Sequence, residues 1–189
     1  MQDHKELVVA PGADIFVGAA AATIPDDPVA ELKGFVELGF ITEDGAEFSR
    51  DLTIKEYFAA QRRNAVRREV EKEDLGANFT LEQFNADNFV FAFGGGEVVE
   101  VKSGIYKFEF PTGDDALEER SLVLRWVDGD RHYQLGFENG NVVDGVKVPL
   151  KRSDLSVLNI GYKALAGESN DSIGVSFVTD DVAFEPTGS

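Results

Sequence analysis

Residues 54–96 read IKEYFAAQRRNAVRREVEKEDLGANFTLEQFNADNFVFAFGGG, and their hydrophobic period changes twice within about forty residues. From Val66 to Asp74 the chain alternates, with Glu69, Glu71 and Glu73 on one side and Val66, Arg68, Val70 and Lys72 on the other. A period of two predicts a strand, here with a ladder of carboxylates along one face. Extended chain resumes at Asn78–Phe84 after Gly76. Asn85 is a favoured N-cap type and predicts a helix over Ala86–Phe93, whose core face is Phe89, Val90 and Phe93 at helical spacing. The glycines Gly94–Gly96 end it.

Working outward, short apolar-faced runs recur at strand length. Asp14–Gly18 is one. Phe35–Gly39 and Phe40–Phe48 contain others, broken around Glu43-Asp44-Gly45, where Asp-Gly favours a hairpin turn. Downstream lie Ile105–Phe110, then Ser121–Val127 and His132–Glu138 joined by Asp128-Gly129-Asp130. Asn139–Asn141 is predicted to turn into Val142–Leu150, and Leu155–Leu165 and Ser172–Val178 follow. The Ala19–Ala22 tract and Pro25–Pro28 read as a linker or loop, and residues 1–13 as an N-terminal arm. One domain over residues 1–189 is predicted: mainly β, an antiparallel sandwich or barrel with one packed short α-helix. No internal repeat is visible.

Composition narrows the function. With 18 basic against 35 acidic residues the formal charge is −17, which repels nucleic acid and anionic membranes alike. No basic region followed by an apolar core opens the chain, and no apolar run is long enough for a spanning helix, so a chain that stays in the cytoplasm is expected. There is no Cys for a disulfide or thiolate site, and His4 and His132 lie more than a hundred residues apart. No phosphate-binding glycine loop, HExxH or Gly-x-Ser-x-Gly occurs. Asp128 and Asp130 lack the further ligands of a calcium loop and read as a turn. No enzyme, cofactor or metal is expected.

The central stretch resembles the major tail tube proteins of long-tailed, non-contractile phages, especially those of actinobacterial hosts. The resemblance is carried by Leu81, Glu82, Phe84 and Asn85, the helix and Gly94–Gly96, with Phe35–Phe48 and Leu117–Phe137 similar at pattern level. Periodicity alone would make Ile54–Asn64 a helix, since Ile54, Tyr57, Phe58 and Gln61 fall at helical spacing; the resemblance instead implies an extended loop region over residues 49–68. It implies a structural virion protein of the tail. Subunits would form six-membered rings stacked into a tube, with one sheet of each joining its neighbours around a channel. The implied partners are other copies, a tape-measure protein, a tail terminator and distal tail proteins. Genomic DNA would pass without specific binding.

Two surfaces follow as expectations. Arg62, Arg63, Arg67 and Arg68 form the one dense basic cluster and are candidates for pairing with carboxylates of a neighbouring subunit. Glu69, Glu71 and Glu73, which alternation puts on one strand face, are candidates to line the channel, where water would screen them. Two other readings stay open from the residues: a tube of a contractile tail or injection system, and a small β-sandwich module binding carbohydrate or another ligand.

Overall fold

The computed structural model describes residues 7–10, 12–143, 145–150, 152, 155–166 and 174–185. Its strands are β1 (Asp14–Ala19), β2 (Val36–Glu37), β3 (Ile41–Tyr57), β4 (Arg67–Leu81), β5 (Glu97–Lys102), β6 (Ile105–Glu109), β7 (Arg120–Asp128), β8 (Arg131–Val142), β9 (Leu158–Ala164) and β10 (Val175–Thr179), with helix α1 at Ala86–Ala92. The main sheet runs β2-β1-β7-β8-β9-β4-β3, with β10 also on β8; β5 and β6 form a separate hairpin. All pairings are antiparallel. The predicted mainly β class with one short helix holds.

Strand β8 is where the sheet forks. Along one edge it pairs with β7; along the other, Tyr133–Phe137 pair with β10 and Gly140–Val142 with β9. The predicted turn at Asn139–Asn141 is therefore not a turn. A Cβ at Gly140 would stand 2.4 Å from the Lys163 carbonyl oxygen, so glycine lets two backbones meet there and the strand passes on to its second partner.

Another predicted turn also fails. Glu43-Asp44-Gly45 lies inside β3 as an irregularity, the register jumping between Ile41↔Leu81 and Ala46↔Phe79. Gly45, at φ +74°, supplies the left-handed residue such a bulge uses, which is why the Asp-Gly signal was present without a hairpin. Strand β5 had no separate prediction, and the described residues of Val142–Leu150 add no strand beyond the end of β8.

The core lies on the face formed by Ile15, Leu122, Leu124, Leu135, Phe137, Phe79 and Tyr162, closed by α1. The other side of β7 and β8 is covered by the alanine and proline segment. Ala22 N donates to Ser121 Oγ (2.9 Å), Gln134 Nε2 to the Pro25 carbonyl (2.7 Å) and Arg125 Nη1 to the Ala30 carbonyl (2.7 Å). Gln134 is fully buried because both ends of its amide are used, its oxygen accepting from Arg125. The predicted linker is thus a strap across the sheet.

Helix α1 begins as predicted: the Asn85 side chain accepts from Asn88 N at 2.8 Å. Gly94 N and Gly95 N then reach the carbonyls of Phe91 and Val90 and close its end. Its predicted face is partly buried, with Phe89 and Phe93 packed against the core cluster, and a second face is buried more fully. Asn88, Phe91 and Ala92 are buried, while Phe89, Val90 and Phe93 are half-buried. Phe91 stacks on Phe79 and Tyr162, and buried Asn88 donates to the Leu38 and Gln83 carbonyls, both at 2.9 Å. Phe89 and Phe93 face the β5–β6 hairpin instead, with Phe108 at 5.8 and 5.7 Å between ring centroids. The short helix lies between two layers, so it has two apolar faces; spacing found one of them.

Candidate functional site

The most prominent feature is an arm. Among the described residues, Gly76–Leu81 of β4 pair with β9, and from Leu75 to Arg67 the strand has no sheet neighbour except β3. Arg50–Tyr57 and Arg67–Leu75 thus leave the body as a two-stranded ribbon, its turn closed by Val66 N donating to the Tyr57 carbonyl at 2.8 Å. Eight residues at strand rise project roughly 25 Å. Residues 49–68, expected as an extended loop region, contribute most of β3's outer half, the turn and the start of β4.

A second register jump decides the arm's chemistry. Thr53 pairs with Lys72 but Ile54 pairs with Val70, leaving Glu71 as the extra residue of a bulge. Beyond it the alternation is reversed. One face carries Leu52 opposite Glu73, Ile54 opposite Val70, and Glu56 opposite Arg68; the other carries Thr53 opposite Lys72, Lys55 opposite Glu69, and Tyr57 opposite Arg67. The carboxylate ladder read from the sequence is therefore split, with Glu73 and Glu69 on opposite faces and Glu71 at the bulge between them. A strict period of two cannot register an inserted residue.

The two faces differ. On the first, Leu52, Ile54 and Val70 are 42, 48 and 58% exposed, framed by the ion pairs Arg50–Glu73 (2.5 Å) and Arg68–Glu56 (2.7 Å). This is the face that, inside the body, carries Ala77 and Phe79 into the core. The second face is polar and satisfied within itself. Tyr57 donates to Glu69 at 2.8 Å, which raises the phenol pKa, Arg67 pairs with Glu69, and Lys72 donates to Asp74 at 2.5 Å and holds that carboxyl below its usual range. Of the four candidate arginines, Arg67 and Arg68 are thus engaged within the arm. Arg62 and Arg63 lie in its exposed turn and have no ion-pair partner among the described residues.

A groove of about 650 Å³ opens between the start of α1 and the β5–β6 hairpin, lined by Phe84, Phe89, Val98, Glu100, Tyr106 and Phe108. Its hairpin also carries a bulge: Glu100 pairs with Tyr106, but Lys102 pairs with Ile105. Lys102 consequently joins Lys107, which alternation already places there, on the face away from the groove, and Glu100 is the charged side chain among the lining residues.

The third cluster ties the chain's described ends together at the β7–β8 turn. Arg131 pairs with Asp128 and Asp181 and donates to the Leu7 carbonyl, while Val9 N donates to Asp128 at 3.2 Å. Tyr133 donates to Asp181 at 2.6 Å; burial and that bond push the phenol up to about 12. Asp181 is held below the carboxylate range by the Tyr133 bond, the Ala183 amide and Arg131. His132 meets Asp180 at 2.7 Å through Nδ1, and the amide and ring of His132 lower that carboxyl as well. Each group has a structural partner. Among the described residues no cluster of His, Asp and Glu is arranged to hold a metal, and no helix is long and apolar enough to cross a membrane.

Residues 1–188 match the sequence family described as phage tail tube protein. No curated protein matches significantly. Among solved structures, a chain of the anti-feeding prophage baseplate, solved by cryo-EM with 6-fold symmetry imposed, is 9% identical with a TM-score of 0.46, covering 91% of this chain and 95% of that one. The Hcp1 protein of E. coli EAEC 042, solved as a mutant carrying introduced tryptophans, is 9% identical with a TM-score of 0.36, covering 88% of this chain and 96% of that one. At those scores neither likeness supports a conclusion.

Proposed function

This chain belongs to the phage tail tube protein family and is a structural component of the virion tail, and from that premise we propose that it closes into rings, six-membered by its resemblance, which stack into a tube around a DNA channel. The observation that supports self-association is the arm: a ribbon whose apolar face continues the core face of the sheet and is left uncovered by the described residues. The free edges of β2, β3 and β10 are further places where neighbouring copies can add strands. A tail of the long, non-contractile type, an actinobacterial host, assembly in the host cytoplasm on a tape-measure protein, and capping by terminator and distal tail proteins belong to the same proposal.

A six-copy ring would carry on the order of −100 formal charges, a wall that repels phosphates and lets DNA slide without adhering. Glu69, Glu71 and Glu73 belong to the same proposal as channel-facing groups; Glu69 and Glu73 stand on opposite faces of the arm, with Glu71 at the bulge between them.

The test is electron microscopy and size-exclusion chromatography of the purified chain over a range of salt and concentration, with analysis of the cognate virion tail. Rings or tubes are expected. Monomers under every condition, together with absence of the chain from that tail, would sink the proposal.

A further inference from the structure

We propose that the apolar face of the arm seats in the α1/β5–β6 groove of a second copy of this chain, with Arg62 and Arg63 of its turn lying toward the groove's carboxylate rim. The inference rests on the self-assembly proposed above and names the two surfaces that meet. Both are apolar and open, and they lie on different parts of one chain, so their union is head-to-tail and propagates rather than closing on itself as a two-fold contact would. The groove is of the size that takes a drug-sized ligand, and hence several side chains such as Leu52, Ile54 and Val70.

Charge selects the occupant. Two copies of formal charge −17 repel one another overall, so their contact needs a local complement, and Arg62 and Arg63 are cations that the described residues leave without ion pairs. The groove offers the opposite sign: Glu100 lies in its lining, Asp87 is in the first turn of α1 beside it, alternation puts Lys107 on the far face of the β5–β6 hairpin and the bulge puts Lys102 there too. A rim of one sign facing a turn of the other sets register and direction as the strand ribbon enters.

The chain has no cysteine, so introduced thiols report without background. In V70C/Y106C, oxidation of assembled material should give a ladder of covalent multimers on a non-reducing gel, and each single variant should give none beyond dimers. Oxidative footprinting of the unaltered chain should show loss of labelling at Phe84 and Tyr106 on going from monomer to tube. R62E/R63E should weaken assembly, and adding E100R should restore part of it. Tubes in which Phe84 and Tyr106 label as strongly as in the monomer overturn the inference while leaving self-assembly standing. Protection of those residues already in the monomer assigns the groove to another segment of the same chain, and also overturns it. Should V70C/Y106C fail to assemble, the footprint of the unaltered chain decides; should the unaltered chain assemble only in the virion tail, footprinting of that tail decides, and should it be absent from the tail as well, both readings fall.

Discussion

The two halves of the β3–β4 hairpin obey the same pairing rules and live in different solvents. In the body, Ala77 and Phe79 face a packed interior at 0 and 4% exposed, with Ala46 partly buried against it. In the arm, Leu52, Ile54 and Val70 occupy the same face and stand about half exposed. Backbone pairing is thus continuous where burial is not. An isolated two-stranded ribbon is marginal in water, so the arm's order in the monomer derives from the sheet it grows out of and from its ion pairs and cross-strand contacts. The body is stabilised by what it buries; the arm presents what it has yet to bury.

The comparison breaks first, and most heavily, in the body. Phe137 is fully buried, packs against Tyr162 at 5.4 Å and sits where β8 forks, so Phe137→Ala should cost about 3–5 kcal/mol in a denaturant melt. A cost below about 1 kcal/mol would show that the fork is not the centre of the fold.

Next comes the helix. Phe91→Ala, which empties the site between Phe79 and Tyr162, should be more destabilising than Phe93→Ala, whose ring is half-buried against Phe108 and Phe110. Equal losses for the two variants would restore the helix face that spacing alone picks out.

Acid should act through the carboxylates at the described ends. Asp180 and Asp181 have folded pKa values below the ordinary carboxylate range, so their contribution is present above the unfolded value of about 3.9 and is lost as pH falls through the folded values. Thermal melts from neutral to acid pH should therefore fall in that window, and D181N should flatten the fall. For Tyr133 the sign reverses: its phenol is raised to about 12, so its contribution is present below the unfolded value near 10 and is lost between roughly 10 and 12. A tyrosinate absorbance titration compared between the unaltered chain and Y133F checks this.

The smallest expected effect is in the arm. Ile54→Ala should leave the monomer's melt within about 0.5 kcal/mol, as for other exposed sites, yet lower the yield of tubes sharply. A large monomer effect with assembly intact would mean the arm is already packed against its own chain.

Local rules carried much of the fold. Alternation located most strands of the main sheet, Asn85 announced the helix start through its side-chain oxygen, and Asp128-Gly129-Asp130 marked the β7–β8 turn, because each of these signals acts within a few residues. The acidic balance and the absence of cysteine were equally plain. What local rules could not supply was whatever depends on a distant partner. Glu71 is a bulge because the opposing strand has one residue fewer, and Gly45 ends a four-residue stretch opposite Thr80 alone; no single strand records either. Gly140 looks like a turn residue until Lys163 and Tyr162 arrive against it. Which faces of α1 are covered depended on a sheet at one side and a hairpin at the other. The alternation of Val66–Asp74 thus determined that a strand exists there, but the register with β3 decided that its glutamates part company and that its valine and isoleucine pair lies bare. Side-chain period is a property of one strand, whereas the face each residue shows is a property of two.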